Sequence, residues 1–547
     1  MNGLSRKRYL ELTEPTEEDC RSSWQRIKDA LEETLREIES EQGKQSGVTA
    51  SVQKKQPGSI EAGQEKQPGG IVSGCETQSC TIEPALGFLQ TLYPLCEDSG
   101  WKVTVSLVAV DNGWKAVRLE AGDTTKQHYG YCVDLGSTTV VMRLIDCARR
   151  RSLGQVSVNN RQIAWGADIL TRIFYCKDHP ERLKELTDAT RSSLAEAMEA
   201  LLQKTGVGPE ECLCMTMAGN AAMMHFFYGL DPFCVFASPY ALRAGQVPAY
   251  SGKELGLPFS GMVYSYPARA NYLGGDIVSG VLACGMDKAD ELGIFLDIGT
   301  NGELVIGNKE FLLCGAGAAG PALEGGVVKT GMRAEPGAVF GVKLENGSFQ
   351  LQVIGGEAPR GICGSGIVDL LAELFLHGWV DIRGKFVPQA SESIQWRQEE
   401  QEQAVEYAPG LWFYQSDITE FIRTKAAAHT MVEYLMGQVG LSMDHIGKFH
   451  VAGAFGTFLD KESAVAVGLY PDIERQRIVS EGNASLEGAQ YWLLHRQAGQ
   501  RIKEILEKME YVQFAAVDDF LRMMTAAQAL PHTDLERYPT VKQKLKL

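Results

Sequence analysis

The chain carries one structural device twice, and that duplication constrains its fold more than any other feature. YCVDLGSTTVVMRLID, starting at Tyr131, and IFLDIGTNGELVIGN, starting at Ile294, share one order: an apolar run, Asp-x-Gly with a short polar turn, and a second apolar run. The two aspartates, Asp134 and Asp297, stand 163 residues apart. Each half also contains a later apolar stretch ending in Ala-Gly, CMTMAGNAAMMHF around Gly219 and KFHVAGAFGTFLD around Gly453. Two hairpins and two glycine turns in matched order predict a duplicated fold closing over one ligand.

The turn chemistry predicts what that ligand carries. Gly136, Gly299 and Gly302 permit close backbone approach, and successive N–H groups in such turns form an anion-binding nest. The hydroxyls of Ser137, Thr138, Thr139 and Thr300 and the Asn301 amide add donors. A carboxylate aimed at polyphosphate repels it unless a cation lies between, so Asp134 and Asp297 predict Mg²⁺, held partly through waters. One Asp-x-Gly turn alone says little, because turns favour both residues. The matched pair carries the argument.

The remaining composition sets limits. A chain of 547 residues should form two to four domains. A formal charge of -16 argues against nucleic acid or an anionic membrane as partner. Nothing resembles an export signal, so a cytoplasmic location is expected. The uncharged window Cys212 to Leu230 is read as a strand, a turn and a helix start, since Gly219, Asn220 and His225 interrupt it. The 13 cysteines include no CxxC pair and none follows Cys363, so no self-contained iron-sulfur or zinc cluster built on cysteine thiolates is expected.

Five segments follow from the patterning. Residues 1–76 are expected to form a helical arm, with Trp24, Ile27, Leu31, Leu35 and Ile38 at helical steps, and a flexible Gly/Gln/Lys linker. Residues 77–128 read as a small α+β domain: a helix near Ala85 to Cys96, then two strands around Asp111-Asn112-Gly113. Residues 129–290 and 291–535 are the two lobes, with helices at Leu183 to Lys204, ended by Gly206, and Ile418 to Gly437. Residues 536–547 read as a frayed tail.

The paired hairpins and AGAFG resemble the phosphate 1, phosphate 2 and adenosine motifs of the acetate and sugar kinase, heat-shock chaperone and actin superfamily. In more detail, Asp134 to Thr139, GNAAMMH at Gly219, GGDIVSG at Gly274, DIGTNGE at Asp297, AAGPALEGG at Ala318, GICGSG at Gly361, QSDI at Gln415, AGAFG at Ala452 and GLYP at Gly468 are similar, in order, to reductive activators of corrinoid proteins. The resemblance covers about Thr81 to Met524. It implies an α/β fold of two ribonuclease H-like lobes with ATP and Mg²⁺ between them. The implied activity is an ATPase that drives reduction of a cob(II)alamin protein to the cob(I) state. The iron-sulfur domain usual in that family has no counterpart in this cysteine pattern, so either a separate donor delivers the electrons or ATP is coupled to something other than reduction. The implied partner is a corrinoid protein or methyltransferase system, and a homodimer is compatible with the pattern.

Under the resemblance, Asp134 and Asp297 orient Mg²⁺ and the attacking water, and the two turns hold the β- and γ-phosphates. Gly453, Ala454, Phe455 and Gly456 pack beside adenosine, while Gly320, Glu324 and Gly325 fall at the ribose or adenine. Asp276 reads either as a water-positioning group or as a helix N-cap. Glu303 reads either as a cleft residue or as a solvated strand end. His225, Met223, Met224 and Cys363 read as packing groups. A small-molecule kinase and a nucleotide-switched binding protein are the alternative functions.

Overall fold

The computed structural model describes residues 3–45, 81–111, 113–299, 302–317, 326, 328–514 and 519–547. The predicted linker, Asn112 of the first hairpin, Thr300, Asn301, Gly320, Glu324 and Gly325 lie outside them.

Four strands, β1 (Ser5–Glu11), β2 (Thr81–Pro84), β3 (Lys102–Val110) and β4 (Gly113–Ala121), form one sheet in the order β1-β3-β4-β2. The Ser23–Gln45 and Leu86–Asp98 helices accompany it, with Ile27 and Leu31 buried and Trp24 edge-on to Phe88 at 5.8 Å. The start of the predicted arm is therefore a sheet strand. Its sequence, SRKRYLE, hides this because Lys7 is buried with its amine paired to Glu120 at 2.7 Å, and the Arg6 guanidinium lies 4.5 Å from the Trp114 ring centroid.

The first lobe contains β5 (Tyr129–Leu135), β6 (Thr139–Asp146), β7 (Arg151–Asn159), β8 (Cys212–Gly219), β9 (Tyr250–Ser251) and β10 (Met262–Ser265), ordered β7-β6-β5-β8-β10-β9. The second begins with β11 (Leu292–Ile298), β12 (Gly302–Gly307) and β13 (Leu312–Gly317). Two small sheets follow: β14 (Ala338–Glu345), β15 (Ser348–Val353) and β16 (Gly361–Ile362), then β17 (Ile394–Arg397), β18 (Glu402–Ala408) and β19 (Leu411–Tyr414). The lobe's main sheet is completed by β20 (Ile446–Ala452), β21 (Ile478–Gly482) and β22 (Met509–Val512), in the order β21-β20-β11-β12-β13-β22.

The two main sheets share one plan. Each has three antiparallel strands, β5-β6-β7 and β11-β12-β13, and each adds two strands parallel to the first, β8 and β10 or β20 and β21. This is the duplicated ribonuclease H-like, actin-like fold that the doubled hairpin predicts. The correspondence reaches single residues: Asp134 pairs with Ala218 of β8, and Asp297 with Ala452 of β20.

The lobes exchange chain where β21 ends. Asn483 caps the Ala484–Leu494 helix, accepting from the Leu486 N–H at 2.8 Å. That helix packs not on the second lobe's sheet but against the first lobe's β5 and β8 and the Gly275–Cys284 helix. A Cβ at Gly488 would stand 2.2 Å from the Ser279 carbonyl oxygen, so only glycine permits the crossing. Tyr266 and Thr216 hydroxyls donate to the Gly488 and Ala489 carbonyls at 2.6 and 2.8 Å.

The expected helices run a few residues longer, as Pro180–Thr205, capped by Gly206 at φ 75°, and Gln415–Gln438. The expected frayed tail is a correction. Residues Pro539–Lys544 form a helical turn whose Val541, like Tyr538 before it, is 1 % exposed. Two buried side chains in an otherwise Lys-rich stretch are enough to seat it.

Candidate functional site

The site forms where the two hairpins meet the crossover. Asp134 and Asp297 are each the next-to-last residue of their strand, β5 and β11, and three residues separate each strand from the next. Asp276 lies in the first turn of the Gly275–Cys284 helix, whose N-cap is Gly274. The cap reading of Asp276 is therefore not what the fold adopts.

All three carboxylates are half-buried, and each is displaced from ordinary acidity. Burial pushes Asp276 up to about 7, helped by the charges of Asp297 and Asp134. Burial pushes Asp297 up to about 7 as well, with Asp134 adding repulsion. Burial also raises Asp134, but two hydrogen bonds pull against it. The Asn483 Nδ2 donates to Oδ2 at 2.8 Å and the Ser485 hydroxyl donates to Oδ1 at 3.0 Å. Three carboxylates that repel one another in a cleft make a place for a divalent cation. The residues present thus fit Mg²⁺.

The first turn is built around its carbonyls. Asn160 donates its Nδ2 to the Gly136 carbonyl at 2.9 Å and its backbone N–H to the Thr138 carbonyl at 2.8 Å. The Ser137 carbonyl accepts from the Arg172 guanidinium at 2.6 Å. Arg172 is fully buried, also bonds the Gly166 carbonyl at 2.8 Å, and burial lowers it to about 10. A Cβ at Gly136 would stand 2.4 Å from the Thr139 carbonyl oxygen. The carbonyls of Gly136, Ser137 and Thr138 are thus all engaged.

Gly453 takes φ 87° where β20 gives way to the Gly453–Phe458 helix, which includes Ala454, Phe455 and Gly456. A Cβ at Gly456 would stand 2.7 Å from a Val451 methyl. Glu303 stands directly opposite Asp297 across the β11–β12 pair, which puts it on the same sheet face. His225 is a packed core residue, its Nδ1 2.6 Å from the Ala221 carbonyl and its Nε2 accepting from the Arg243 N–H at 3.2 Å. Asn160, Arg172, Asn483 and Ser485 were not anticipated. Asn160 caps the short helix Arg161–Trp165 and Asn483 follows β21 as a cap, but nothing local points to their partners, Gly136 and Thr138 for the one and Asp134, 349 residues away, for the other.

Residues 129–289 match the RACo middle region, and residues 291–542 match the C-terminal domain of RACo, the ASKHA domain. The chain belongs to the RACo family of corrinoid-protein activators. Over 419 residues it is 31 % identical to the corrinoid activation enzyme RamQ of Eubacterium limosum, covering 74 % of this chain and 70 % of that one. Over 278 residues it is 23 % identical to the Co(II) methylated amine-specific corrinoid protein reductase of Methanosarcina barkeri, covering 46 % of this chain and 49 % of that one. A solved reductive activator for corrinoid, iron-sulfur protein superposes with a TM-score of 0.83 at 32 % identity, over 99 % of this chain and 81 % of that one. The ASKHA match implies nucleotide binding. No described helix is long and apolar enough to cross a membrane.

Proposed function

We propose that this chain hydrolyses ATP between its lobes to drive the reductive activation of a corrinoid protein, with electrons from a separate donor. The observation that carries the reading is the convergence of Asp134, Asp276 and Asp297 where two matched hairpins meet the Gly275–Cys284 helix, all raised by burial, Asp276 also by the charges of Asp297 and Asp134, and Asp297 by that of Asp134.

Asp134 and Asp297 would hold Mg²⁺, partly through waters. When bound, that cation supplies the positive charge that neutralises phosphate oxygens and relieves the repulsion between the carboxylates. The amides of Gly136 to Thr139 and the turn Gly299 to Gly302 bind and orient the β- and γ-phosphates. Asp276, pushed up to about 7, is poised to take a proton from attacking water at neutral pH. Gly453 to Gly456 lie where a flat adenosine meets backbone, and Gly320, Glu324 and Gly325 are assigned to its sugar side. The corrinoid partner is proposed from the relatives that carry that activity in their names.

The test is ATP hydrolysis by the purified chain with and without a cob(II)alamin-loaded corrinoid protein, a chemical reductant present, and cob(I) absorbance followed. Cob(I) formation that needs ATP and disappears in Asp297→Ala is the expected result. Tight ATP binding without cobalamin reduction across several corrinoid proteins would overturn the activator reading. A phosphorylated small molecule would replace it with a kinase.

A further inference from the structure

Away from the cleft, the Gln415–Gln438 helix presents His429 and Glu433 four residues apart, on one face. His532 reaches them from the chain segment that crosses this helix. One ligand atom from each lies within 4.8 Å of the other two. His429 and His532 are 8 % and 3 % exposed, and the Nε2 of each has no hydrogen-bond partner among the described residues. A buried ring nitrogen left unpaired carries an uncompensated desolvation cost. Two of them beside one carboxylate call for something to stand between.

We propose that His429, Glu433 and His532 bind a divalent transition metal, with zinc the fitting ion. Two imidazoles and one carboxylate suit zinc, whereas magnesium and calcium take oxygen ligands. Outer contacts orient two of the three. Tyr538 Oη lies 3.4 Å from His429 Nδ1 and can take its proton, leaving the Nε2 lone pair for the metal. Arg537 donates to Glu433 Oε1 at 2.8 Å, which leaves the other carboxylate oxygen for coordination.

Three features oppose loading and set its expected strength. The Asp534 N–H donates to His532 Nδ1 at 2.9 Å, so the ring must give up that bond and turn to coordinate through Nε2. Lys425, fully buried with its amine on the Pro531 carbonyl, faces both imidazoles, as does Arg537. The ligand atoms must also close toward metal–ligand bonds of about 2.0–2.2 Å. Affinity is therefore weaker than that of a closed all-cysteine site. Loading would clasp residues 532–541 to a helix whose Met431 packs against Gly317 at the end of β13, and so stiffen the second lobe behind its hairpin.

The experiment uses the full chain, stripped with a zinc-selective chelator and then titrated with zinc or cobalt(II), with magnesium present throughout. Metal content, the visible bands of bound cobalt(II) and the thermal midpoint are read for wild type, Glu433→Gln and His532→Gln. Glu433 is partly exposed and bound to a surface arginine, so its variant keeps the fold if His532→Gln does not. The expected result is one zinc per chain, four-coordinate cobalt bands and a zinc-dependent rise of the midpoint, all lost in Glu433→Gln. No retained zinc and no midpoint shift in wild type would overturn the site and leave a buried water between the imidazoles. Equal metal in wild type and Glu433→Gln would overturn it too, by placing the ion elsewhere. None of these readouts involves ATP, so the result stands apart from the nucleotide assignment.

Discussion

The two hairpins are copies of one motif, yet their aspartates sit in unlike surroundings. Asp134 receives two donors, from Asn483 and Ser485, and its cross-strand neighbour is the apolar Val141. Asp297 has Glu303 opposite it and shares with Asp276 a rise to about 7. Two donors thus oppose the rise of the first, while burial and the charge of Asp134 carry the second to about 7. Duplication supplied the geometry; divergence of the neighbours divided the labour.

The sharpest way to break this comparison is Asp297→Ala, expected to lower corrinoid-dependent ATP turnover by about 100-fold or more in steady-state assays. If Asp134→Asn and Asp297→Ala are equally damaging to Mg²⁺ binding but differ in pH profile, the division of labour stands. Next is Arg172→Met, which leaves the Ser137 and Gly166 carbonyls unpaired and should destabilise the chain by about 3 kcal/mol in denaturant unfolding. Asn483→Ala with Ser485→Ala frees Asp134, and should cut turnover by roughly tenfold and move the acidic limb of the pH–rate profile upward. The expected result for Glu303→Gln is smallest, a change in turnover of about two- to fivefold from removing the charge beside Asp297.

The raised pair also predicts a pH dependence with a definite sign. The native protein holds protons on Asp276 and Asp297 that the unfolded chain has released, from the ordinary carboxylate range up to about 7. The stability these groups contribute is therefore greatest at low pH and is lost as pH rises through that window. Mg²⁺ competes with the same protons, so its affinity should climb between about pH 6 and 8 and then level off, as calorimetric titration can check. In Asp297→Asn that climb should flatten.

The lobes and their hairpins were legible because Asp-x-Gly between apolar runs is a local pattern, and a local pattern repeated is hard to produce otherwise. Asp134, Asp276 and Asp297 were legible as chemistry, and the fold brings all three together. What sequence could not give were contacts between separate elements: the Asn483 and Ser485 donors on Asp134, 349 and 351 residues away, or Arg172 beneath the Ser137 carbonyl, 35 residues away. Strand β1 was missed for a different reason. A basic run reads as solvated until Glu120 and Trp114 are known to lie beside it. The seated C-terminal turn was missed because two buried residues, Tyr538 and Val541, leave almost no periodic signal.

The crossover after β21 has a consequence for how the protein is made. The helix that completes the first lobe, Ala484–Leu494, is encoded after most of the second, with only β22 of its main sheet still to come. A ribosome adding roughly 5–20 residues per second needs about 10–40 s to travel from residue 290 to residue 494. Throughout that interval the faces of β5, β8 and the Gly275–Cys284 helix lack their cover. A fragment ending at the lobe boundary should therefore be recovered as aggregate where the full chain is recovered folded.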